Sequence, residues 1–135
     1  MKLKFTAKII SLVFLFVSAG SNACNISFEG GQNQHLGDYR PNTGSSSNLN
    51  MRVSCANNKA ITLSFHSNNN CQLRRRQSVI PYDIYVNSGA QNYCNRRAFS
   101  GGFSQYYLVT IFAFPVSTSL ESGRYSDNIE IELTF

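Results

Sequence analysis

The chain has few side chains arranged as a catalytic or metal-binding set. Its two histidines are His35 and His66, and a secreted ribonuclease would use two such groups with a cation for general acid–base catalysis. No motif places them together. No paired His, Cys or Asp spacing remains for a metal once the cysteines are oxidised. There is also no nucleophile elbow, phosphate loop or dinucleotide fingerprint. The sequence therefore predicts a protein that is not an enzyme and that binds neither a cofactor nor a metal.

The cysteines carry the clearest chemistry. There are four, at Cys24, Cys55, Cys71 and Cys94, and an even number in a small exported chain predicts two disulfides. Four cysteines allow three pairings, and the sequence alone does not choose among them. We favour Cys24–Cys55 and Cys71–Cys94, because each would join segments that are potential neighbours in a sheet. The second would close a loop worth about 3 kcal/mol in the chain-entropy description.

Arginines form two short clusters that a Cys71–Cys94 bridge would bring near each other. The candidate patch for a phosphate or an acidic sugar comprises Arg74, Arg75, Arg96 and Arg97. The alternative is a solvated loop surface in which one arginine makes a structural contact. We expect this alternative, because runs of charge usually face solvent.

Alternating apolar residues predict the elements that would position these side chains. No segment has a helical period, whereas short β-type runs recur between Gly, Asn and Ser clusters. Residues 106–114 form the longest run, and we expect its aromatic residues to pack in the core with one row facing solvent. Tyr125 is expected to close a corner of the fold through a hydroxyl bond to backbone. This pattern predicts an all-β antiparallel β-sandwich.

The last run alternates strictly. Ile129, Ile131 and Leu133 fall on one side with Phe135, and polar residues fall on the other. Successive side chains of a strand point to opposite faces, so this run predicts a half-buried strand. Its apolar face needs a cover, and we expect that cover to concern the function.

Residues 1–23 have the pattern of a secretory signal peptide. Three lysines precede an apolar stretch over residues 9–17, and small residues follow. The apolar stretch is too short to span a bilayer. We predict that the protein is exported and that residues 24–135 form its single domain.

The expected processing site also changes the charge. Cleavage after Ala23 makes Cys24 the first mature residue, with Ala19 as the alternative site. Ser21 stands where a lipoprotein signal usually has an aliphatic residue, so we do not expect lipidation. The whole chain has 12 Lys+Arg and 7 Asp+Glu, a net charge of +5. Without the three leader lysines the balance is 9 against 7, or +2, which does not favour nucleic-acid binding.

Five motifs in order give the predicted mature chain a family resemblance. It resembles the spore coat protein U domain, the fold of the archaic chaperone–usher pilins, over essentially its whole length. The matching segments are Cys24, Gly37-Asp38-Tyr39-Arg40-Pro41, Val53-Ser54-Cys55, Arg76 with Pro81-Tyr82-Asp83-Ile84-Tyr85, and Gly123-Arg124-Tyr125-Ser126-Asp127 through Phe135.

The resemblance implies an incomplete immunoglobulin-like sandwich with an open edge next to its C-terminal strand. A periplasmic chaperone, and then the N-terminal strand of another pilin-like subunit, would fill the groove by strand addition, with transient passage through an outer-membrane usher. The protein would be a structural subunit of a surface pilus or coat. The predicted groove residues are Ile26, Phe28, Ile129, Ile131, Leu133 and Phe135.

The expected mature N-terminus departs from the pilin pattern. A polymerising pilin carries a donor extension before its first cysteine, whereas this mature chain would begin at Cys24 or at most four residues earlier. We therefore expect a subunit that accepts a strand and does not donate one. The alternative function is a secreted module that binds carbohydrates or surfaces alone.

Overall fold

The computed structural model describes residues 3–11, 24–31, 33–55, 60–102 and 104–134. Ten strands lie within these ranges, and no helix does. The strands are β1 (Leu3–Ser11), β2 (Cys24–Phe28), β3 (Asn33–Tyr39), β4 (Ser45–Cys55), β5 (Ile61–Ser67), β6 (Gln72–Arg75), β7 (Ser78–Val86), β8 (Phe99–Gly101), β9 (Ser104–Ala113) and β10 (Arg124–Thr134).

The strands follow from alternation in the sequence. Along β4, Leu49, Met51 and Val53 are buried while the residues between them are exposed. Along β9, Tyr107 is fully buried and Tyr106 is 70% exposed. Phe112 and Phe114 lie on the same face as Tyr106 and are half-buried. The expected core packing of the aromatic run therefore holds for Tyr107 alone, and its other three aromatic residues lie on the outer face.

The strands form two layers, and β7 takes part in both. One layer contains β2, β4 and β9 together with the second half of β7, which pairs with β9 from Tyr82 to Val86. The other contains β1, β3, β5, β6, β8 and β10, and the first half of β7 joins it through β6. Apolar residues from both layers meet in one core. The prediction of an incomplete immunoglobulin-like β-sandwich is confirmed.

Both predicted disulfides are present. Cys24 and Cys55 stand opposite each other on β2 and β4, with Cα atoms 4.0 Å apart. Cys71 and Cys94 join the turn after β5 to the long loop after β7, with Cα atoms 6.1 Å apart. One disulfide therefore joins β2, at the edge of its sheet, to β4. The other joins two loops at one end of the sandwich.

A candidate strand-acceptor groove

The position beside the C-terminal strand is filled by the first strand of the chain. β1 runs parallel to β10, from Lys4 opposite Arg124 to Ser11 opposite Ile131. On its other side β1 runs antiparallel to β3. We call the strand position between β10 and β3 the acceptor groove. The described residues between 24 and 134 leave this position open, and a segment from the predicted leader occupies it.

The predicted groove residues of β10 lie where the sequence places them. Ile129, Ile131 and Leu133 are 1%, 1% and 4% exposed and belong to the core. Phe135 lies outside the described residues. The opposite edge of β10 pairs with β5, from Ile129 opposite Ser67 to Thr134 opposite Thr62. β10 therefore has a partner strand on one side within the domain and receives its other partner from β1.

The remaining predicted groove residues lie in the other layer. Ile26 and Phe28 are on β2, opposite Val53 and Met51 of β4. Phe28 is buried, and Ile26 is half-buried against the core. They do not belong to either strand that flanks the groove.

The wall of the groove formed by β3 is anchored independently of β1. Ser47 Oγ donates a hydrogen bond to the carbonyl of Leu36 at 2.6 Å, and Ser45 Oγ donates to the carbonyl of Asp38 at 3.2 Å. The Tyr39 hydroxyl donates to the carbonyl of Phe114 in the other layer. These bonds attach β3 to β4 and to the end of β9 without using β1.

The other wall is held by a tyrosine at its start. The Tyr125 hydroxyl donates to the carbonyl of Glu121 at 2.7 Å, and its ring is fully buried. The expected corner role of Tyr125 is confirmed. This bond fixes the segment that leads into β10.

A buried carboxylate lies on β10 within the stretch paired with β1. Asp127 is 2% exposed and stands opposite Ala7. Its Oδ2 accepts hydrogen bonds from the Tyr82 hydroxyl at 2.6 Å and from the Ser67 hydroxyl. Its Oδ1 accepts from the backbone N–H of Asn69 at 3.2 Å and of Asn128 at 2.7 Å. Four donors therefore satisfy the carboxylate, as burial of a charge requires.

The network around Asp127 joins several elements beside the groove. Ser67 Oγ accepts from the backbone N–H of Cys71 at 2.8 Å, and the N–H of Asn68 donates to the carbonyl of Asn128 at 3.0 Å. The turn after β5 is thereby fixed to β10, and Tyr82 links β7 to the same point. The network is suited to holding the groove in shape.

Burial raises the pKa of Tyr82 above its usual value near 10, and the charge of Asp127 and their hydrogen bond raise the pKa further. The folded state therefore holds this proton more tightly than the unfolded chain does. The stabilisation is fully present below about pH 10 and declines above it, because only the unfolded chain then loses the proton readily.

We expect the free energy of unfolding to decrease by up to about 1.4 kcal/mol per pH unit above pH 10 through Tyr82 alone. Urea denaturation between about pH 9 and about pH 11 measures this slope. Tyr82→Phe should reduce the slope, and Tyr106→Phe, at an exposed tyrosine, is the matched control. Equal slopes for the natural protein and Tyr82→Phe would contradict the assignment.

The candidate arginine patch is divided in the structure. Arg74, Arg96 and Arg97 are exposed, and Arg97 donates to Gln91 Oε1. Arg75 is half-buried, and its guanidinium packs so closely against Gly123 that a Cβ at that position would overlap it. The alternative to an anion-binding patch is a solvated surface in which one arginine makes a structural contact. Arg75 is that arginine.

The histidines lie on different strands. His35 is on β3 and His66 is on β5, with β1 and β10 between them in the layer. Three strand spacings of about 4.8 Å separate them across the layer, and His35 is level with Ser126 whereas His66 is level with Glu130. Their backbones are therefore on the order of 20 Å apart. Among the described residues, no group of three His, Cys, Asp or Glu side chains is arranged to hold a metal.

Sequence reasoning missed two parts of the site. Asp127 is in a Ser-Asp-Asn run typical of turns, and nothing in the sequence brings Tyr82 to it. The strand β1 has a sequence signal, because Leu3, Phe5, Ala7 and Ile9 alternate with Lys4, Thr6 and Lys8. The same residues also have the lysines of a leader, a pattern that does not predict a strand.

Comparison with known proteins does not assign this chain to a family. No family model matches the chain, and no curated protein matches it. In the described part of the chain, no helix is both long and apolar enough to cross a membrane.

Proposed function

We propose that this protein is a non-enzymatic assembly subunit that accepts a β-strand from a partner in the groove between β10 and β3. The observation that carries the proposal is the pairing of β1 with both walls of the groove. A strand that is separate in sequence from the domain thus fits this position. The same backbone hydrogen bonds are open to a strand from another chain.

The state with an empty groove is energetically unfavourable. Among the described strands, β3 has a ladder only with β1, and eight residues of β10 face β1. An unpaired edge of this length beside buried isoleucines is a template for aggregation. A subunit with such an edge needs an occupant from synthesis to assembly, which explains why export would involve a chaperone.

The resemblance to the spore coat protein U domain names the partners. In this proposal the subunit is exported through its N-terminal leader and receives a strand from a periplasmic pilus chaperone. An outer-membrane usher then transfers it to another pilin-like subunit in a surface pilus or coat. The two disulfides agree with an oxidising compartment.

Peptide binding tests the acceptor groove. We expect residues 24–135, refolded with both disulfides, to bind a labelled peptide of residues 3–11, because its strand pairs with both β10 and β3 in the intact chain. Fluorescence anisotropy measures the affinity. The control peptide has the same composition with its alternation disrupted. The proposal fails if neither peptide binds or if both bind equally.

A further inference from the structure

A cleft separate from the groove opens beside the Cys71–Cys94 disulfide. It has a volume of about 550 Å³ and lies between the turn after β5, the start of β7 and the loop that follows β7. Sites for small molecules have volumes of about 300–1,000 Å³. The volume of this cleft lies within that range.

The wall of the cleft is held by hydrogen bonds around Asn92. Its Oδ1 accepts from the backbone N–H of Ile84 at 3.0 Å and of Cys94 at 2.9 Å. Its Nδ2 donates to Asp83 Oδ1 at 2.8 Å, and the Tyr85 hydroxyl donates to Asp83 Oδ2 at 2.8 Å. The carboxylate of Asp83 is thus fixed and still has lone pairs for a ligand.

The backbone at the rim is also constrained. Asn70, Cys71 and Asn95 have positive φ angles of 57°, 60° and 53°. Residues other than glycine adopt this left-handed conformation at a cost and persist there when the surrounding structure requires it. The disulfide between Cys71 and Cys94 supplies that constraint. The cleft is therefore preorganised.

Several donors at the cleft have no partner within the described part of the protein. Asn70, Gln72 and Asn95 line the cleft, and the amide nitrogens of their side chains donate no hydrogen bond there. The guanidinium of Arg96 also lines the cleft and is unpaired among the described residues. Arg74 reaches the rim, where it donates to Gln72 Oε1 at 3.4 Å.

We propose that this cleft binds a short acidic saccharide. Arg96 would pair with the carboxylate of the sugar, because guanidinium and carboxylate form charge-assisted hydrogen bonds. The amides and Asp83 would bind hydroxyls, which both donate and accept. Phe114 and Pro81 supply carbon surface for the face of a sugar ring. A polyphosphate ligand fits less well, because it lacks the hydroxyls that would donate to Asp83 and brings more negative charge beside that carboxylate.

Isothermal titration of the full chain with trigalacturonic acid tests the proposal, with maltotriose as the neutral probe. We expect trigalacturonic acid to bind, and Arg96→Gln to weaken its binding at least tenfold, on the order of one charged hydrogen-bonded pair. Arg97→Gln is the matched control, since the neighbouring Arg97 does not line the cleft. We expect it to bind like the natural protein.

Asp83→Asn gives a second measurement on hydroxyl recognition and should weaken both probes, with thermal denaturation confirming that each variant is folded. The proposal is overturned if trigalacturonic acid does not bind, if Arg96→Gln binds as the natural protein does, or if both probes bind equally. None of these results bears on the acceptor groove, so the two proposals fail separately.

Discussion

Replacing Asp127 by alanine is expected to lower the free energy of unfolding by about 3–5 kcal/mol, because several buried donors lose their acceptor together. Tyr82 and Ser67 would keep hydroxyl groups near a cavity, and the backbone N–H groups of Asn69 and Asn128 would lose their bonds to the carboxylate. An unsatisfied buried polar group costs about 1–3 kcal/mol. Urea denaturation at neutral pH measures the loss.

Two further variants identify the cause of that loss. Asp127→Asn retains one oxygen acceptor but places an amide donor where donors already converge, so we expect an intermediate loss. Asp38→Ala removes an exposed carboxyl from β3 and should change the free energy of unfolding by less than about 0.5 kcal/mol. A loss below about 1 kcal/mol for Asp127→Ala would show that the network does not stabilise the fold.

Removing residues 1–23 is expected to have the larger effect. The deletion removes the β1 ladders with β10 and with β3. Backbone hydrogen bonds contribute about 1 kcal/mol each. The combined loss is a large part of the stability of a small domain, which is about 5–15 kcal/mol.

We therefore expect residues 24–135, which keep both disulfides and the core, to fold at low temperature but to melt far below the full chain and to aggregate on warming. Light scattering and thermal denaturation measure these outcomes. Thr6→Pro in the full chain tests the same ladder without a deletion, because proline removes a backbone donor within β1. If residues 24–135 are monomeric and as stable as the full chain, β1 has no part in completing the fold.

Local alternation in the sequence predicts much of this fold. The pattern over residues 129–133 predicts a buried strand face, and the structure confirms it. The sheet neighbours expected for Cys24 and Cys55 are also found on adjacent strands. These features depend on side-chain period and on nearby pairing, which a sequence expresses directly.

The rest depends on contacts between distant residues. Asp127 is buried because Tyr82 and Ser67, from β7 and β5, converge on it. The cleft exists because the Cys71–Cys94 bridge brings two loops together. The position of β1 was obscured by a second pattern, since residues 3–9 alternate like a strand while belonging to a segment with the composition of a leader.

Amide hydrogen exchange of residues 24–135, with and without the peptide of residues 3–11, tests the acceptor groove most directly. We predict that those amides of 33–39 and 124–131 that point toward β1 exchange rapidly in the domain alone and become protected when the peptide is added, because these residues flank β1. Amides of β4 and β9, which pair with each other, should change little. Equal protection of 33–39 and 124–131 in both samples would contradict the existence of a groove that accepts a strand.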